Sequence, residues 1–144
     1  MSLKNNLTFF IPDGENPQEL PYFTAGIKAG FPSPAADFDE TKISLDRVLV
    51  KNTEATFYAR ADGTSMSGAG IDDGDIMVID RSLEPADGKI AVCCIDGEFT
   101  VKRLTIKEDG LYLLPENPSF QPIKVEEEHK LIIWGIVTYV IKAV

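Results

Sequence analysis

Histidine is almost missing from this chain of 144 residues: the single one, His129, stands in the charged run Glu126-Glu127-Glu128-His129-Lys130. One histidine in a turn-like segment gives a Ser-His-Asp triad little to rest on, and with only two cysteines it supplies no metal-ligand spacing. Asp72-Asp73-Gly74-Asp75 lacks the alternation of a calcium loop and reads as a turn into the next strand. No metal and no other cofactor is therefore expected. Cys93 and Cys94 are neighbours in a strand-like stretch, so their side chains point to opposite faces and do not form a mutual disulfide, which fits a reducing compartment. Positive charge is also scarce. Against 23 Asp and Glu there are 14 Lys and Arg, for a net charge of −9 and a pI near 4.5. Phosphate backbones are repelled by such a chain unless a local basic patch overrides the sum, and Lys102-Arg103 is the only adjacent basic pair. Direct sequence-specific DNA binding is not expected, and a role near DNA would run through protein partners. The longest apolar run, Leu131 to Val140, is far short of the roughly 20 residues that a membrane helix needs. The first residues also lack the apolar run of a signal peptide. The expectation is a cytoplasmic protein with no membrane association.

What is present is the balance of a soluble globular chain, 44% hydrophobic and 26% charged, long enough for one domain with a sizeable core plus tails. Residues 1–43 hold Pro12, Pro17, Pro21, Pro32 and Pro34 among several glycines and read as a flexible N-terminal arm. A short helix is expected over Ser44 to Leu49, with Ser44 as its cap and Leu45, Val48 and Leu49 on one face. From Thr56 the chain turns to short runs rich in Val, Ile, Phe and Tyr. Strands are expected near Thr56–Ala61, Asp75–Ile79, Lys89–Ile95, Glu98–Leu104, Leu111–Leu114 and Leu131–Ile141, with Asp96-Gly97 as a hairpin turn. The fold class is mostly β: a compact, curled antiparallel sheet over residues 44–144, carrying the arm.

Two residues bring chemistry. Ser65 stands just after a strand among small residues, Gly63-Thr64-Ser65-Met66-Ser67-Gly68-Ala69-Gly70, where backbone amides can converge on a developing oxyanion. Ser67 is a competing nucleophile on the same loop. Lys102 follows Phe99-Thr100-Val101, and an amine kept neutral in an apolar pocket can take a serine proton without any histidine. Strict alternation, however, groups Lys102 with Glu98, Thr100 and Leu104, which reads as a solvated strand face. Service as a base requires a pKa lowered by roughly three units, about 4 kcal/mol of burial cost carried by the fold.

Four ordered stretches together resemble the LexA/UmuD family of self-cleaving serine peptidases, and within it the UmuD type. They are Ala29-Gly30-Phe31-Pro32-Ser33-Pro34-Ala35-Ala36-Asp37, Gly63-Thr64-Ser65-Met66, Ile71-Asp72-Asp73-Gly74-Asp75 and Asp96-Gly97-Glu98-Phe99-Thr100-Val101-Lys102-Arg103. The resemblance runs from about Ala29 to the C-terminus. It implies a Ser/Lys dyad, Ser65 as nucleophile and Lys102 as base, that cuts the Ala29-Gly30 bond of its own arm, with the amides of Ser65 and Met66 as oxyanion donors. It further implies stimulation by a RecA filament on single-stranded DNA. The shortened protein would be a homodimer and an accessory subunit of a UmuC-like Y-family translesion polymerase in the SOS response. Alanine ahead of the scissile glycine matches the LexA-type repressors, whereas the best-known UmuD has cysteine there. Two alternatives from other classes are a non-catalytic dimeric module that regulates a polymerase through its surface and a LexA-like phage or plasmid repressor fragment.

Overall fold

The structure, a computed structural model, describes residues 8–12, 17–23 and 40–144. In chain order the elements are β1 (Thr8–Phe10), β2 (Glu19–Phe23), β3 (Glu40–Ser44), α1 (Leu45–Leu49), β4 (Thr56–Arg60), β5 (Ile76–Asp80), β6 (Ile90–Ile95), β7 (Glu98–Lys107), β8 (Gly110–Leu114), β9 (Ile123–Lys124) and β10 (Leu131–Ile141), with single 3-10 turns at Thr53–Ala55 and Ser67–Ala69. They form two compact units, Asp13–Lys51 and Met1–Pro12 with Asn52–Val144. The class is mostly β with antiparallel sheets, as expected. All six expected strands are present, each with bounds within three residues of those read from the sequence.

The N-terminal stretch departs from the expectation of an irregular arm. β1 pairs antiparallel with β4, from Thr8 opposite Arg60 to Phe10 opposite Tyr58. β2 pairs with β3, from Glu19 opposite Ser44 to Phe23 opposite Glu40. Pro21 sits inside β2, opposite Lys42; a two-stranded sheet has a free side on each strand, where a residue without an N–H leaves no rung unmade. Pro21 therefore marks an edge strand. α1 forms where a helix was expected, but the Ser44 side chain does not cap it. The Ser44 hydroxyl is instead buried without a hydrogen-bond partner among the described residues, and no residue of α1 is buried.

The larger unit is an eight-stranded sheet in the order β1-β4-β5-β10-β6-β7-β8-β9. Asp96 and Gly97 turn β6 into β7 with φ of 51° and 84°, the two positive values that a tight primed hairpin requires. Ala91, Val92 and Cys93 are consecutive in β6 and all fully buried, so this part of the sheet is covered on both faces. One apolar layer gathers Ala59, Met66, Met77, Ile79, Val92 and Val101; the other gathers Ala91, Cys93, Ile95, Leu104, Leu113 and Ile136. Residues opposite each other in a ladder share a face, which puts Lys102 with Ala91 and Thr100 with Cys93. Lys102 is thus not on a solvated face: it is 7% exposed, because its side of β7 also carries the second apolar layer.

Candidate active site

The loop between β4 and β5 is closed at its base by backbone bonds in both directions between Ala61 and the turn before β5: Ala61 N–H to Asp75 O at 2.8 Å and Gly74 N–H to Ala61 O at 2.7 Å. Asp73 Oδ1 accepts from Gly63 N–H at 2.7 Å, so the run of aspartates does turn the chain into β5 and also ties down the start of the loop. Met66 is 3% exposed and belongs to the first apolar layer. Its carbonyl accepts from Ala69 at 3.0 Å and Ile71 at 3.2 Å. With Met66 anchored inward, Ser65 beside it is left half-buried at the mouth of a cleft. That cleft, about 400 Å³, is lined by Gly63, Ile71, Phe99, Phe120 and Ile123 together with Ser65 and Lys102.

Lys102 Nζ lies 3.3 Å from Ser65 Oγ, 2.7 Å from Thr100 Oγ1 and 3.1 Å from the Val101 carbonyl oxygen. The ladder between β7 and β8 begins only at Arg103 opposite Leu114, so among the described residues the outer edge of β7 ahead of it has no ladder partner, and the Val101 carbonyl accepts from the amine. Burial holds the Lys102 amine below the ordinary lysine value of 10.5. Cys93, which stands opposite Thr100 on the same face of the ladder, acts in the opposite direction when ionised. Burial pushes that thiol up to about 12, however, so near neutral pH it is uncharged and offers the lysine no anion.

The connection after β8 holds the serine loop from outside. Glu116 N–H donates to Ser65 O at 2.8 Å, and Gly68 N–H donates to Glu116 O at 2.7 Å. Asn117 Nδ2 donates to Thr64 O at 2.8 Å. Gly68 is needed for this approach, since a Cβ there would lie 2.5 Å from the Glu116 carbonyl oxygen. Arg103, next to Lys102 in β7, donates from Nε to Glu116 Oε1 at 2.5 Å and from Nη1 to Gly88 O at 2.6 Å. Strand β7 and the loop that supports Ser65 are thereby linked through one ion pair.

Of the residues singled out in the sequence, Ser65 and Lys102 are adjacent. The amides of Ser65 and Met66 face no acceptor among the described residues, and neither does that of Thr64. Ser67 is exposed, and its hydroxyl accepts from Asn117 Nδ2 at 3.5 Å. His129 is engaged in its own turn, where Nδ1 accepts from Glu126 N–H at 2.8 Å. Ala29 and Gly30 lie outside the described residues. No group of three or more His, Cys, Asp or Glu is placed to hold a metal ion among the described residues. No described helix is long and apolar enough to cross a membrane. Three site residues went unnoticed in the sequence: Thr100, Glu116 and Asn117. Thr100 was visible as the residue two before Lys102 on the same strand face, whereas nothing local to Glu116-Asn117 tells that this turn reaches the serine loop.

A mostly β molecule whose cleft sets a serine hydroxyl against a buried amine has the arrangement of a peptidase-like protein. The sequence relationships agree. Residues 21–138 match the Peptidase S24-like family model. The chain is 40% identical over 131 residues to Protein ImpA of Salmonella typhimurium, covering 90% of this chain and 88% of ImpA. It is 43% identical over 133 residues to Protein SamA of Salmonella typhimurium strain LT2, covering 92% of each. With the LexA repressor of Acidithiobacillus ferrooxidans it shares 42% identity over 116 residues, 77% of this chain but only 55% of the repressor. The chain belongs to the Peptidase S24-like family, as a UmuD-like member of its LexA/UmuD group.

Proposed function

We propose that this protein is a self-cleaving serine peptidase that cuts its own Ala29-Gly30 bond. The observation that carries the reading is the 3.3 Å approach of Lys102 Nζ to Ser65 Oγ in a setting that disfavours the charged amine. A neutral amine has two N–H bonds and one lone pair. The Val101 carbonyl accepts one N–H and Thr100 Oγ1 the other, which directs the lone pair to the serine, so that Ser65 O–H donates to Nζ. In the first step Lys102 takes that proton as Oγ bonds to the carbonyl carbon of Ala29. The negative charge on the carbonyl oxygen is met by the amides of Ser65 and Met66. Collapse breaks the C–N bond while Lys102 returns its proton to the Gly30 nitrogen. Water then attacks the Ser65 ester, with Lys102 again the base, and releases the Ala29 carboxylate.

Membership of the UmuD-like group supports the wider setting: a cytoplasmic homodimer, stimulated by a RecA filament on single-stranded DNA, that serves a UmuC-like Y-family translesion polymerase during SOS mutagenesis. The net charge of −9 favours protein partners over direct DNA contact. The test is mass spectrometry of the purified chain at pH 7 and pH 10, with and without the filament. A product beginning at Gly30 is expected, formed faster at pH 10. Ser65→Ala should abolish it, and Lys102→Ala should slow it about 10²- to 10⁴-fold. Cleavage of Lys102→Ala at the parental rate would overturn the assignment.

A further inference from the structure

The segment ahead of Ala29-Gly30 lends an edge strand to the main sheet. β4 has β5 on one side and β1 on the other, so three residues of β1 are all that cover its outer edge among the described residues. Phe9 stands opposite Ala59 and packs against the first apolar layer. Its ring centroid is 4.7 Å from that of Trp134 and 5.2 Å from that of Phe99, and Phe57 closes the group 5.1 Å from Trp134. Pro12 just beyond β1 is buried, and the Arg60 guanidinium lies 5.8 Å from the Phe10 ring centroid. A three-residue ladder with one well-seated aromatic is a small attachment. Tethering supplies an effective concentration on the order of millimolar, and cutting the chain abolishes it.

We propose that Thr8–Phe10 is a detachable strand. In the uncut chain it covers the β4 edge and fills the Phe57–Phe99–Trp134 socket with Phe9, and after cutting it yields both to an extended, aromatic-bearing segment of another polypeptide. Strand addition is the recognition mode that fits such a site: main-chain rungs give affinity and a side-chain socket gives specificity, and the chain's own strand is the template for the occupant. That cutting triggers the exchange rests on the peptidase reading above; the socket and its occupancy do not.

Trp134 is the only tryptophan, so its emission reports directly on the socket. The full-length chain carrying Ser65→Ala, which stays intact in either case, is compared with the same chain carrying Phe9→Ala. The second substitution is expected to shift emission to the red, raise acrylamide quenching several-fold and speed amide exchange along Thr56–Arg60. Unchanged protection in β5 and β10 verifies that the fold is retained. A synthetic peptide of residues 5–14, added to the Phe9→Ala protein, should restore the emission with saturation at roughly 0.1–1 mM, and the same peptide with Phe9→Ala should not. Emission and exchange indifferent to Phe9, or a peptide that restores nothing, would overturn the inference. A protein that passes these tests but never shortens keeps the detachable strand and loses the peptidase reading.

Discussion

An amine that is 7% exposed occupies a place where a hydrocarbon would be the more stable tenant. The folded state holds the Lys102 pKa below 10.5, so between the lowered value and 10.5 the unfolded chain binds more protons than the folded one, and stability rises with pH across that window. Below the window both states are charged and the burial penalty is fully present. In a Ser65→Ala background, Lys102→Met should therefore melt at or above the parental temperature at pH 7, with the difference shrinking as the parent gains stability toward pH 10. Thermal melts at the two pH values check this. Cys93 makes a companion case. Fully buried and with its thiol pushed up to about 12, it should resist a thiol reagent that modifies half-buried Cys94, so that titration gives one reactive thiol in the native protein and two in denaturant. At this scale the sequence was half legible. The identity of Ser65 and Lys102 as a pair could be read, but the alternation rule put the lysine in water. That rule assumes one wet face, and here both faces are covered; Leu104, on the same side of β7 as Lys102, was the residue that said so.

Elements, more than single residues, determine how near the serine stands to the amine. The loop bearing Ser65 is gripped from the 115–120 connection by Glu116 and Asn117, and that connection is gripped in turn from β7 by Arg103. Gly68→Ala tests the grip. A Cβ at 2.5 Å from a backbone oxygen must push the two loops apart, which should cost about 1–3 kcal/mol of stability and slow shortening by at least tenfold, read by chemical denaturation and by mass. The strands of the main sheet from β4 onward were legible, because alternating or continuous Val, Ile and Phe runs bounded by Asp-Gly turns leave few other options. β1, β2 and β3 were not. Each is short, two are adjacent to or contain proline, and their pairing partners lie far along the chain.

At the scale of the whole molecule, carboxylates govern the response to acid. The hydrogen bond from Lys142, helped by the Asp72 amide, holds Asp75 below 3.8 despite its burial. Burial works against ionised Asp80, but hydrogen bonds from Ser82 and Asn52 outweigh it and keep that group below 3.8 as well. The stability that these groups contribute is complete above 3.8 and is lost as pH falls through their lowered values. Lys142 also bonds Asp72 at 2.7 Å, so it fastens the end of β10 to the turn that follows the serine loop. Lys142→Met should lower stability near neutral pH and raise the pH midpoint of acid unfolding, as followed by circular dichroism. By its sequence the chain divides at residue 43 into arm and β domain, whereas the larger compact unit takes in Met1–Pro12 and resumes at Asn52, a long-range pairing that proline spacing does not reveal.

The two-stranded ribbon of residues 19–23 and 40–44 straddles the bond proposed for scission, with one strand on each side. Severing that bond leaves the downstream strand joined to a five-residue helix that buries none of its own residues. A lone strand of this kind has no means of keeping its shape, so a single nick should unravel the polypeptide well past the nick itself. Trypsin is then expected to trim the shortened form rapidly after Lys42, Arg47 and Lys51 while sparing those sites in the intact form. The working N-terminus of the matured protein would thus be a loose tether of about twenty residues.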